Sequence, residues 1–267
     1  MADDAILLGA VAYDPKVVSI WEKIREHFQS MGVPMDFALF SNYERQIEAL
    51  LAGHVDIAWN TPLAHVRVGD RTDGRALSLG MRDSDRDFCS QLIARLDSGI
   101  RHPTDLHGKV LAVGSADSTQ ARILPLQFLA EAGVDLARVT ILAFDTDLGK
   151  HGDTGTSELD VLKAVHEGRA HAGAVGDLVW VNEQASARVD TARVQSVWTT
   201  PLFDHCMFDA LPTLPASKRA GFEKALFAMR WDNPVHRQIL ELEGLKEWMP
   251  PREDGYESLR RALKAPR

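Results

Sequence analysis

The residues best equipped for chemistry in this chain lie in one short run: Ser115, Ser118, Thr119 and Gln120, directly after the apolar segment Val110-Leu111-Ala112-Val113-Gly114. Their hydroxyls and carboxamide are donors that can adapt to a tetrahedral oxyanion. The apolar segment reads as a buried strand. The residues that follow, Ile123, Leu126, Phe128 and Ala130, carry helical spacing, so the run falls on a tight turn at a helix start. A helix start offers backbone N–H groups and the positive end of the dipole, a setting in which anions bind. A second reading fits the same residues. Asp117 with Gln120 three positions on is a capping box, in which Asp117 itself fills the helix start.

Three other stretches carry reactive or binding side chains. Trp59 ends the apolar segment Val55–Trp59, and Asn60-Thr61-Pro62 then opens a helix with a polar cap and proline at its first position. Ligands of α/β proteins bind at such strand ends. His151 stands in the polar, glycine-rich stretch 145–157, within Lys150-His151-Gly152-Asp153. His205 and Cys206 pair an imidazole with a thiol, a combination that suits a soft metal. Neighbours on an extended segment point to opposite faces, so one ion would need recruits such as His151 or His65. The expectation is no metal and no cofactor. No Gly-x-Ser-x-Gly elbow, phosphate-loop lysine motif or His-Glu-x-x-His is present, and the chemistry expected is binding rather than catalysis.

These residues need a frame, and the pattern of the chain supplies one. Ile6–Ala12, Met35–Phe40, Val55–Trp59, Ala76–Met81, Phe88–Leu96, Val110–Val113, Val139–Phe144, Ala172–Val175 and Val194–Trp198 read as strands. Amphipathic helices alternate with most of them, which predicts a largely parallel α/β arrangement. Helices are expected over 118–132, 157–167, 216–230, 234–248 and 256–263, and Asp177 falls at the head of another. Ala49-Leu50-Leu51-Ala52-Gly53-His54-Val55-Asp56-Ile57-Ala58 is similar to Ala164-Val165-His166-Glu167-Gly168-Arg169-Ala170-His171-Ala172-Gly173. In each, a helix stops at glycine and re-enters a strand, as two copies of one βαβ architecture would. A ligand is then expected between the copies.

Composition narrows the partners. The 267 residues fit one large domain or two small ones, and 45% hydrophobic content is ordinary for a globular chain. A net charge of −8 argues against nucleic acid. No run reaches the length of a membrane span. The N-terminus shows neither a basic leader nor an apolar stretch, so the expectation is a cytoplasmic chain, or a periplasmic one from which a leader has been removed. Cys89 and Cys206 are too few for a disulfide framework.

With these residues in view, the chain resembles the phosphonate, phosphite and phosphate branch of the type II periplasmic substrate-binding proteins of ABC transporters. The resemblance rests on Ser41–Glu48 with Ala52-Gly53-His54-Val55-Asp56-Ile57-Ala58, on Val113-Gly114-Ser115-Ala116-Asp117-Ser118-Thr119, on Lys150-His151-Gly152-Asp153 and on the helix-Gly-strand unit at Gly168. These run in the family's order over about residues 5–200. The resemblance implies a two-lobe type II fold of mostly parallel sheets joined by two crossovers, near 90–96 and 194–201. Lobe I would be 1–92 with 198–267, and lobe II 93–197. It implies that Ser115, Ser118 and Thr119 form a hydroxyl cradle, flanked by Gln120. Tyr13 or Tyr43 would supply an aromatic, and Trp59, Asn60 and Thr61 further contacts. His151 would come from the second-lobe loop, and Asp177 would be an acidic partner for an amine-bearing substrate. His205 lies on the return segment near the expected cleft. The function so implied is capture of a small phosphonate- or phosphate-like anion for an ABC permease. The alternative is a cytoplasmic enzyme or ligand sensor on the same fold, using His205 and Cys206.

Overall fold

The computed structural model describes residues 5–145 and 156–264. In chain order it contains β1 (Ile6–Val11), α1 (Lys16–Ser30), β2 (Met35–Phe40), α2 (Tyr43–Leu51), β3 (Ile57–Asn60), α3 (Pro62–Arg71) and β4 (Leu77–Arg82). Next come β5 (Ser90–Arg95), β6 (Val110–Val113), α4 (Leu124–Glu131), β7 (Thr140–Ala143), α5 (Ser157–His166), β8 (Ala172–Gly176), α6 (Asp177–Ala185) and β9 (Val194–Thr199). The chain closes with β10 (Met207–Ala210), α7 (Ala216–Phe227), α8 (Pro234–Glu243), β11 (Trp248–Met249) and α9 (Glu257–Lys264). These form two compact units. Unit 1 takes the chain up to Asp87 and then Asp204–Tyr256; unit 2 takes Phe88–Phe203 and the segment from Glu257 onward.

Unit 1 is a sheet in the order β11-β4-β10-β3-β1-β2. Its two faces are visible in the alternation of single strands. Leu8, Ala10, Ile57, Trp59, Phe208 and Ala210 face a large core with Val17, Ile20, Trp21, Ile24 and Phe28 of α1 and Phe222 and Leu226 of α7. Leu7, Ala58 and Phe40 face the other way, against Ile47 and Leu50 of α2 and Ala64 and Val68 of α3. Unit 2 is a sheet in the order β7-β6-β8-β5-β9 and is built likewise. Leu111 and Val113 pack with Leu129 and Val134, while Ala112 on the opposite face meets Val161, Leu162 and Val165 of α5. Strands covered on both faces are apolar at successive positions, which is why β1, β3, β6 and β8 stand out in the sequence.

The internal similarity is a structural duplication. β1 pairs in parallel with β2 and β3, and β6 pairs in parallel with β7 and β8. α2 and α5 both end on a left-handed glycine, Gly53 at φ 72° and Gly168 at φ 78°, a conformation costly for residues with a Cβ. The closing bonds match. His54 N donates to Ala49 O (2.8 Å) and Arg169 N to Ala164 O (2.9 Å); Asp56 N donates to Leu7 O (2.8 Å) and His171 N to Val110 O (2.9 Å). Even the side chains correspond: Leu7 N donates to Asp56 Oδ2 and Val110 N to His171 Nδ1.

Several expectations need correcting. The sheets are mixed rather than mostly parallel, because β10 and β11 in unit 1 and β5 and β9 in unit 2 extend each parallel trio in the antiparallel sense. β10 and β11 are not among the strands expected from the sequence. The helix expected over 234–248 stops at Gly244, left-handed at φ 77°, so that Trp248 joins β11. The chain passes between units three times, not twice, at 87/88, 203/204 and 256/257. The third passage moves α9 out of the expected lobe I: it packs on α4 and on the turn before it, with Leu259 buried.

Candidate anion-binding site

In unit 2, β6 leads into Gly114 and a turn closed by Ser118 N donating to Ser115 O at 2.9 Å. One π-helical turn, Thr119–Ile123, follows before α4 begins. The expected single helix over 118–132 is therefore two segments, and Pro125 explains the break. An α-helix would have residue 125 donate to Ala121 O, but proline has no N–H. Gly114 N donates to Ala121 O instead (3.0 Å), and Ile123 N reaches back to Ser118 O (2.9 Å). The approach is so close that a Cβ on Gly114 would lie 2.7 Å from Ala121 Cβ and 3.0 Å from Ser157 Oγ. The cap is Ser118, whose Oγ accepts from Ala121 N at 3.1 Å; the Asp117–Gln120 capping box is not the one used.

Ser115, Ser118, Thr119 and Gln120 are all buried here. Ser115 Oγ is buried with no hydrogen-bond partner. Gln120 is held at both ends: Ser90 Oγ donates to its carbonyl at 2.6 Å, and its Nε2 donates to Glu158 Oε2 at 3.0 Å. Glu158 Oε1 accepts from Gly176 N, the cap of α6, at 2.5 Å. The starts of the π turn, α5 and α6 thus meet at the ends of β6 and β8. Asp177, next to Gly176, bonds its own helix through Leu178 N (2.8 Å). Burial, with Asp177 adding, pushes the Cys89 thiol up to about 11. Ser90, Ser157, Glu158 and Gly176 are not singled out by the sequence. Their one signal is Ser157-Glu158 at a helix start. His151 lies outside the described residues.

The expected unit 1 residues have separate settings. Tyr13 follows β1, half-buried, with Lys16 Nζ 5.6 Å from its ring centre. Burial, then Glu243, pushes its phenol pKa up. Tyr43 opens α2 behind Asn42, the cap that accepts from Arg45 N. Trp59 is a core residue, its ring centre 4.3 Å from Phe208 and 5.6 Å from Trp248. Asn60, on the opposite face, accepts from Gln46 Nε2 and donates to Asp209 Oδ2, both at 2.8 Å. Thr61 is the buried cap position of α3. Asp209 Oδ1 also meets His65 Nδ1 at 2.8 Å, and Glu253 lies 3.3 Å from Nε2. Burial alone would lower the His65 pKa; the two carboxylates outweigh it and lift it to about 9.

His205 and Cys206 precede β10 rather than lying within a strand, so their side chains converge, His205 Nδ1 to Cys206 Sγ at 3.1 Å. With Asp85 they offer ligand-type atoms all within 4.8 Å of one another. Arg82 occupies both Asp85 oxygens at 2.7 Å, so a cation would meet a resident positive charge. Nδ1 of His205 also lies 3.5 Å from Asp85 Oδ1. One nitrogen facing both acid and thiol is not the relay of a nucleophile–base–acid triad, which uses both ring nitrogens. Burial also pushes the Cys206 thiol up, away from the reactive thiolate.

The family described as ABC transporter, phosphonate, periplasmic substrate-binding protein matches residues 10–256. The chain belongs to this family. As a substrate-binding protein of this type it is a binding component, not an enzyme, which removes the enzyme reading built on His205 and Cys206. It is 22% identical over 245 residues to a probable ABC transporter phosphite-binding protein of Prochlorococcus marinus, spanning 88% of this chain and 80% of that one. The solved Prochlorococcus marinus structure in complex with methylphosphonate is similar at a TM-score of 0.77, with 18% identity and coverage of 98% and 97% of the two chains. A Xanthomonas citri protein bound to ATP gives 0.75, with 18% identity and 98% of both chains covered. The aliphatic sulphonate-binding protein of Escherichia coli gives 0.60, with 16% identity and coverage of 98% and 83%. At these identities the likenesses establish the type II periplasmic binding fold. No helix among the described residues is long and apolar enough to cross a membrane.

Proposed function

We infer that this substrate-binding protein takes a small phosphonate-type oxyanion in the periplasm and presents it to an ABC permease, with Ser115, Ser118 and Thr119 receiving the anionic head. The observation that carries the reading is the Ser115 hydroxyl, buried without a partner beside two further hydroxyls at the end of β6. A buried polar group left unpaired costs about 1–3 kcal/mol, which a bound oxyanion offsets. Helix starts gathered at the same strand ends add a favourable field. The methylphosphonate held by the Prochlorococcus marinus relative supports this class of guest.

Calorimetric titration with methylphosphonate, phosphite and phosphate tests the reading. At least one should bind and raise the melting temperature, as any ligand of the folded state does. Replacing both Ser118 and Thr119 by alanine should weaken binding about tenfold or more, the cost of losing charge-assisted bonds. Unchanged affinity in that variant would remove the cradle. A failure of all three anions to bind would remove the ligand class.

A further inference from the structure

The residue that stands out beyond the hydroxyl cradle is acidic. Glu158 is 4% exposed, and its carboxylate lies between Gly176 N and Gln120 Nε2. Both of its oxygens accept, which is the arrangement an ionised carboxylate makes. Its neighbour Ser157 closes on Gly114, where an added Cβ would lie 3.0 Å from Ser157 Oγ and 3.5 Å from Ser118 Cβ. Glu158 is thus one side chain away from the turn that carries Ser118 and Thr119. It already occupies the start of α6, the place where a second anionic group would otherwise gain from backbone donors.

We propose that Glu158 makes this site selective for singly charged tetrahedral oxyanions, acting as a resident negative charge that disfavours a second charge on the guest. The inference rests on the phosphonate-type reading above and deepens it. Among the described residues, other charged and titratable groups lie on the elements packed here. Asp117 lies on the turn itself, and Asp177 and the thiol of Cys89 lie beside the start of α6. Arg122 pairs with Asp145 at 3.0 Å, and Arg260 lies on α9, the helix that packs on the π turn. Away from bulk water, like charges repel several times more strongly than at an exposed surface. A phosphonate that keeps one proton enters with one charge; the same molecule after its second ionisation brings two.

The test compares two guests of similar shape, methylphosphonate and methanesulfonate, by calorimetry on the full chain at about pH 6 and about pH 9, either side of the second ionisation of a phosphonate. Methanesulfonate carries one charge throughout, so dividing by its Kd cancels titration of the protein. In the wild type the ratio of methylphosphonate Kd to methanesulfonate Kd should rise about tenfold between the two pH values, one pK unit of differential interaction. In Glu158→Gln, which keeps the shape and removes the charge, the rise should shrink to about threefold or less. Equal rises in both proteins overturn the inference while leaving phosphonate binding intact. A flat ratio in the wild type overturns it even should Glu158→Gln fail to fold. No binding of methylphosphonate at either pH overturns the proposed function, and this inference with it.

Discussion

Replacing Ser115 by alanine separates binding from stability at a single atom. Its hydroxyl has no partner in the folded chain, so its removal should leave the melting temperature unchanged or slightly raised. Affinity for methylphosphonate should fall about tenfold, the worth of one hydrogen bond to a charged group. Calorimetry and thermal denaturation on the same variant check both halves. Ser118→Ala differs, because Ser118 also caps the helix start; it should cost about 1 kcal/mol of stability as well as affinity. His65 supplies a pH dependence. Its folded pKa of about 9 lies above the ordinary value of 6.5, so the proton is bound more tightly in the folded state. The stability this contributes is complete below about pH 6.5 and is lost as pH rises through 9, by roughly 2–4 kcal/mol. Glu243, raised by burial to about 7, titrates in the folded state before that limb, whereas His205, which burial would lower but Cys206 and Asp85 lift well above the ordinary value, adds to the same alkaline fall. Denaturant titrations at neutral and alkaline pH should show the fall, and His65→Gln should reduce it by roughly 2–4 kcal/mol.

At the scale of elements, the turn between β6 and α4 is held by close approach. Gly114→Ala would push a methyl to 2.7 Å from Ala121 Cβ, so the strand exit and the π turn must separate. The expected result is a loss of about 1–3 kcal/mol in stability together with weakened anion binding. Chemical denaturation and titration of the one variant measure both. The strand, the turn and the hydroxyls are legible in the letters, because an apolar run ending in glycine and serine admits few other readings. The π turn is not. Spacing alone gives one helix from 118 onward, and the effect of Pro125 appears only when Gly114 is seen to take the carbonyl that proline leaves. The same limit applies to Asp117 and Ser118, both good caps, between which only the path of the backbone decides. Gly53 and Gly168 lie at the other extreme, since a left-handed helix end reads directly as glycine. Glu158 and Ser90 are 68 residues apart in sequence, and no local pattern could join them at Gln120.

For the whole molecule, the division into two units follows from the repeated helix-Gly-strand pattern, but the fate of the tail does not. The last helix is amphipathic whichever unit it joins, and its pattern carries no address. It joins unit 2, where Leu259 is buried and the helix covers α4 and the π turn. A chain ending at Tyr256 should therefore lose protection from hydrogen exchange over 119–131 while the strands of unit 1 keep theirs, as local unfolding free energies are set by local packing. Equal loss in both units would show the tail to act on the whole fold instead. The same feature decides how this protein can be recombined. Unit 2 is not the continuous insert that a cut at Phe88 and Phe203 would release, since such a fragment leaves its covering helix behind. Grafting its anion specificity onto a relative means transplanting two pieces of chain, and a swap at the two obvious joints would deliver the cradle without its lid of leucine.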